Sequence, residues 1–308
     1  MARSTTARLI VVIAATLGTS VALAAQRSYD KRLDAPPGGR LTFDADVGSV
    51  TVVGRDAREV VIHADLEGSE SFLSRLRISA EQTPSGVSVT AHVPHDSWLG
   101  WLGWLDWGPN RVRFDVQVPR DYPVDLRTSG GHLAMRDLSA GVRAHTSGGG
   151  IVVDDVAGTI SAHTSGGRIE ADRLNGPANL SSSGGSIEVT DSAGDLYVRT
   201  SGGSIRIQDE DGRVDAHTSG GGIRAELRSN RGISLDTSGG SITLVLPQNT
   251  RGSVDAGTSG GHVTSDLPVS TTGIIAGNHL QGAIGGGGPL ISLHTSGGSI
   301  HLESELHR

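Results

Sequence analysis

The sequence predicts an all-β protein, a single-chain parallel β-solenoid (β-helix) with two short strands in each coil of about 18 residues. Three observations carry this reading. The phrase Thr-Ser-Gly-Gly recurs from Thr128 through Thr146, Thr164, Ser182 (as Ser-Ser-Gly-Gly), Thr200, Thr218, Thr237 and Thr258 to Thr295, in steps of 18, 18, 18, 18, 18, 19, 21 and 37 residues. Between the phrases, short runs alternate apolar with polar, the period of half-buried strands. Glycine pairs and turn formers interrupt every stretch long enough to make a helix.

One repeat, residues 200–217, shows the elements in order. Ser201-Gly202-Gly203 forms a corner, where glycine offers positive φ at no steric cost. Ile205 and Ile207 mark a first strand, Asp209, Asp211 and Gly212 an opposite turn, and Val214 and Ala216 a second strand. Stacked coils align like with like. The first inward row reads Leu133, Ile151, Ile169, Ile187, Ile205, Ile223, Ile242, Val263 and Ile300. The second strand contributes Val142, Ile160, Leu196, Val214, Ile233 and Val254, and Gly158, Gly176, Gly194, Gly212, Gly232 and Gly252 mark the far corner. Parallel crossovers are expected to be right-handed. The 37-residue step reads as two coils, one of which has lost its phrase and carries Gly285-Gly286-Gly287-Gly288-Pro289.

Three segments follow from the pattern. Residues 1–24 read as a secretory leader, with Arg3 and Arg8, an apolar run over 9–17 and the small-x-small site Ala22-Leu23-Ala24; an uncleaved membrane anchor is the alternative. Residues 25–125 read as irregular β coils and a cap, with a lead-in over 29–39 and strands over 41–45, 49–53, 60–64, 76–80, 87–93 and 112–118. Residues 126–308 are the regular solenoid, and the charges of the closing stretch His301–Glu305 would discourage end-to-end growth. The expected location is periplasmic or extracellular.

Composition narrows the function. The 308 residues include 45 glycines and only 3% aromatics, which suits a thin solenoid better than a globular core. With no cysteine there is neither a disulfide framework nor a thiolate metal site. The net charge is −7, and loss of the leader with its two arginines makes the chain more acidic, so nucleic acid and anionic membrane surfaces are poor electrostatic partners.

All four tryptophans, Trp98, Trp101, Trp104 and Trp107, fall within ten residues. They are candidate partner-binding residues in an apolar loop, the one place where membrane contact is expected; the plainer reading is a flap over the solenoid's own flank. The position before the phrase carries Arg127, His145, His163, Arg199, His217 and His294 in six of the nine repeats, a solvated outward row in which His145 and His163 should lie side by side. The repeat places no acidic or thiol ligand there, so no metal and no cofactor are expected. A repeat presents the same chemistry at every coil, whereas catalysis needs unlike groups in specific environments, so no catalytic residue is assigned. The calcium-roll pattern fails because an apolar residue follows Gly-Gly where a second glycine belongs. Ice binding wants threonines within strands, and these sit at a corner.

Several features together resemble the bacterial "putative adhesin" domain family of exported β-solenoids. They are the leader, Gly48-Ser49-Val50-Thr51-Val52, the strand over 113–119 ending in proline, the Thr-Ser-Gly-Gly coils, and the ending Gly277-Asn278, Ile284-Gly285-Gly286-Gly287-Gly288-Pro289-Leu290 and Thr295-Ser296-Gly297-Gly298-Ser299-Ile300. The resemblance implies the same fold and supplies no catalytic motif. The functional expectation is a non-enzymatic, adhesin-like envelope scaffold that binds an envelope or extracellular protein or glycan. Its rival is a polysaccharide-active β-helix enzyme, for which Asp154, Asp155, Asp172, Asp191 and Asp209 would be the acids, at a turn where aspartate is common anyway.

Overall fold

The computed structural model describes residues 25–94, 110–271 and 277–305. Residues 1–24, expected to be a leader, and Trp98, Trp101, Trp104 and Trp107 lie outside the described residues. The chain winds between a 13-stranded and a 14-stranded sheet, called here the first and second sheets. Each coil lays a strand such as Val142–Thr146 in the second sheet, turns at its Thr-Ser-Gly-Gly corner, and lays the next, such as Ile151–Ala157, in the first. Pairing is parallel and in register: Ile151 sits beside Ile169, Ile169 beside Ile187, and Ile187 beside Ile205. The inward side chains of both sheets form one continuous hydrophobic cluster from Leu41 to Leu302.

The corner departs from expectation in two ways. Its glycines do not have positive φ; that conformation belongs to the far corner, at Gly158, Gly176, Gly194 and Gly232. The second glycine of each phrase is instead needed for close approach. A Cβ on Gly149, Gly167 or Gly185 would lie 1.9–2.0 Å from the carbonyl oxygen of the equivalent glycine one coil back. The threonine, for its part, is buried. Thr164 Oγ1 donates to the Gly149 carbonyl at 2.8 Å and accepts from the Gly167 amide at 3.1 Å. The same pair of bonds recurs at Thr146, Ser182, Thr237, Thr258 and Thr295. One hydroxyl thus satisfies a donor and an acceptor that the tight corner hides from water.

That geometry predicts an outcome. Thr164→Val keeps the shape but strands the Gly149 carbonyl and the Gly167 amide, and should cost about 1–3 kcal/mol. Thr164→Ser, the residue already present at position 182, should cost much less. Thermal melts of the two variants check this.

The far turn also differs. The strand Ile205–Asp211 continues through the expected turn, because Asp209 takes a left-handed φ of 54° and shifts the alternation by one residue. Asp137, Asp155, Arg173 and Asp191 do the same in the preceding coils; four of the five are aspartates, which tolerate this region. The shift creates a third inward row, Leu138, Val156, Leu174, Ser192, Glu210 and Leu227.

At both ends the stacking order departs from chain order. The coil built from Arg40–Ala45 and Ser49–Arg55 sits between the coil starting at Val124 and an outer coil built from Gly86–His92 and Arg111–Pro119. Likewise Leu290–Thr295 and Ile300–Ser304 are slotted between the Ile233–Leu246 coil and that of Gly252–Thr258 and Val263–Ser265. The stretch 301–305 is therefore interior to the stack rather than its end. The 37-residue step is not two coils either: after Val263–Ser265 the chain makes Val269–Thr271 and His279–Ile284, which pair antiparallel, before returning.

The N-terminal end is closed by more structure than a Pro/Gly lead-in. Ala25–Asp34 forms an antiparallel edge strand, and it turns Arg27 and Lys31 to the same side as the half-buried Tyr29 and Leu33. Charges facing inward on an edge discourage pairing with another chain. Between the sheets, the helix Glu70–Arg75 is N-capped by Ser69 and buries Phe72 and Leu73.

Candidate binding face

Period 2 fixes which side chains leave the core. In the second sheet the residue before each corner threonine points to solvent, and parallel register lines these residues up about 4.8 Å apart. In spatial order the row reads Arg127, His145, His163, Ser181, Arg199, His217, Asp236, His294 and Gly257, with His279 opposite Gly257 on the antiparallel neighbour. His145 and His163 do lie side by side, their rings stacked at 5.0 Å and 7°. His163 Nδ1 is 2.7 Å from Ser181 Oγ.

At the C-terminal end the row borders a polar groove of about 530 Å³, lined among others by His217, Asp236, Asn278, His279 and His294. Sequence reading found His217 and His294 through their place in the repeat. It missed Asp236, Gly257 and His279 as neighbours of these. His279 belongs to no repeat, and only the slotting-in of the last coil sets His294 beside Gly257.

Three of the five acids proposed for a catalytic groove are engaged in short ion pairs. Arg173 bridges Asp154 and Asp172, and Arg228 holds Asp191 at 2.5 Å. Asp211 is held below the usual carboxylate range, chiefly by its hydrogen bond from Arg231 at 2.8 Å. The carboxyl that is pushed up to about 7, Glu210, owes this to burial inside the core, where no substrate reaches. Such pairing supports a rim of ion pairs, not a converging acid and base.

Among the described residues no helix is long and apolar enough to cross a membrane.

No curated protein matches the chain. Among solved structures, the chain is similar to a "putative lipid binding protein" from Parabacteroides distasonis ATCC 8503, with 12% identity and a TM-score of 0.39 over 89% of this chain and 96% of that one. It is similar to a "putative adhesin" from Bacteroides fragilis NCTC 9343, with 8% identity and a TM-score of 0.35 over 91% and 97%. A "putative cell adhesion protein" from Clostridium sporogenes ATCC 15579 gives 11% identity and 0.24 over 91% and 100%. These likenesses are too distant to transfer a role. The family model for Toastrack DUF4097, by contrast, matches residues 40–303, nearly the whole solenoid with its capping coils. The chain belongs to the Toastrack DUF4097 family.

Proposed function

We propose that the protein is an exported, non-enzymatic envelope scaffold that holds an extracellular or envelope protein or glycan on the outward face of its second sheet. The observation that carries this reading is the row itself. Imidazole, guanidinium, carboxylate and hydroxyl groups stand at regular spacing on a backbone fixed by in-register pairing on both sides. A partner that meets such a surface finds its hydrogen-bonding groups already in place, so little ordering entropy is lost on binding. The leader read from residues 1–24 supports export. The tryptophans at 98, 101, 104 and 107 offer a second, apolar contact, and in the sequence they fall after the strand Gly86–His92 and before the strand Arg111–Pro119.

The test is capture of cell-envelope fractions on the immobilised mature chain. A triple change of His145, His163 and Arg199 to alanine should weaken capture, and Trp98, Trp101, Trp104 and Trp107 changed to serine should weaken it separately. Capture unaffected by both sets, with wild-type melting, would overturn the reading. Product release from a polysaccharide panel would favour the enzyme instead.

A further inference from the structure

The outward row is interrupted once, at Gly257, and the interruption makes a notch. Every other position of the row bears a side chain, so a gap one residue wide opens between the neighbouring strands. On one side stands His294, on the other His279. A Cβ added to Gly257 would lie 3.3 Å from His279 Nδ1 and 3.5 Å from His294 Nδ1, so both ring nitrogens face the same small space. They are therefore no more than about 7 Å apart; a metal bound by both at 2.0–2.1 Å needs them within about 4 Å, a difference that rotation of the two exposed rings has to close. His279 also presents Nε2 to Asp255 Oδ1 at 3.9 Å. That is ion-pair range rather than a hydrogen bond; closed by rotation of the ring, it becomes the carboxylate contact that orients a metal-bound histidine and raises its basicity.

We propose that the Gly257 notch is a binding site for a divalent transition-metal cation, held by Nδ1 of His279 and Nδ1 of His294 with water in the remaining positions. Two imidazoles and water suit the copper, nickel and zinc class and not calcium or magnesium, which take oxygen ligands. Among the described residues no group of three or more His, Cys, Asp or Glu is arranged to hold a metal, so the site is a two-ligand one of modest affinity. Asp236 lies on the opposite side of His294 from the notch and is not counted as a ligand. The site stands independently of the partner-binding reading. It also departs from the sequence expectation of no metal, because it arises where the repeat breaks.

Calorimetric titration of the tag-free chain with Zn²⁺, and electron paramagnetic resonance of the Cu²⁺-loaded chain, test the site. The wild type should bind one equivalent saturably, with two nitrogens coupled to copper. His279→Ala and His294→Ala should each weaken binding by at least about tenfold. Gly257→Val leaves every histidine in place but fills the notch, and should abolish the two-nitrogen signal. Asp255→Asn should weaken binding about tenfold, with Asp255→Glu restoring most of it. His145→Ala with His163→Ala should leave the stoichiometry and affinity of this metal titration unchanged, which separates the notch from the stacked pair. All these side chains are on the surface, and circular dichroism confirms folding of each variant. No saturable binding by the wild type, or binding that survives both single histidine changes, overturns the proposal. Neither result bears on envelope capture.

Discussion

Gly167→Ala should lower the melting temperature by several degrees, while Gly166→Ala leaves it almost unmoved. The two glycines are adjacent in one corner, equally small and alike in sequence context. What separates them is the coil beneath. A Cβ on Gly167 would lie 2.0 Å from the Gly149 carbonyl oxygen, 2.4 Å from its carbon and 2.6 Å from the Gly150 amide nitrogen. All three are backbone atoms that cannot swing aside. On Gly166 the nearest atoms are 3.7 Å away, an ordinary contact. The first change must pry two coils apart, breaking the Thr164 bonds and the ladder beside them. It should cost at least about 3 kcal/mol, the upper end for overpacking. At about 2–4 °C per kcal/mol for a chain of comparable size, that is on the order of 6–12 °C. Because a solenoid's stability is a sum over neighbours, the loss should be local as well. Hydrogen exchange should show lost protection in the coils on either side of residue 167 and not at the ends. Equal melting of the two variants would mean that the corners do not stack as described.

That contrast shows how far the sequence carries. The period of the Thr-Ser-Gly-Gly phrase and the alternation around Ile187 gave the fold class, the start of each strand and the inward rows beginning at Leu133 and Val142, because register follows directly from a two-residue period. What each recurring letter does was harder to see. Glycine in a turn reads as positive φ, yet at Gly167 it serves contact with another coil, which no local pattern reveals. Thr164 reads as a polar corner residue, and only its partners one coil away make it a buried one. The third inward row was hidden because the left-handed Asp209 breaks the alternation just where a turn was expected. The order of the end coils was invisible for a deeper reason. Slotting Ile300–Ser304 between two earlier coils is a choice among equally good parallel edges, made by long-range packing. The Gly257 notch depends on that choice, so half of the face was legible and its most chemically distinct part was not.

Glu210 should make the protein lose stability as pH rises, the reverse of the usual carboxylate. It occupies the third inward row, in register with Ser192 one coil back and Leu227 one coil on. It is fully buried, and neither carboxylate oxygen has a hydrogen-bond partner. Burial is the main reason its pKa is pushed up to about 7, with the negative charges of Asp211 and Asp195 adding to it; the Ser192 hydroxyl and the Arg228 guanidinium offset only part. In the unfolded chain the same carboxyl ionises near its ordinary 4.5. Below that value both states are protonated and the fold carries no penalty. Between 4.5 and about 7 the unfolded chain has released its proton while the folded one keeps it, so each step up in pH favours unfolding. Above about 7 the penalty is complete, on the order of 3 kcal/mol at 1.36 kcal/mol per unit. Glu210→Gln keeps the size and removes the charge, so the difference between its stability and that of the wild type should grow from pH 4 to pH 8 by that amount. Glu210→Leu restores the residue type found at positions 174 and 227 and should be more stable than the wild type at every pH, most of all above pH 7. Denaturant melts of the three proteins across this range decide the matter. Parallel curves for wild type and Glu210→Gln would show that the carboxyl reaches water, and the third row would then not be closed at this coil.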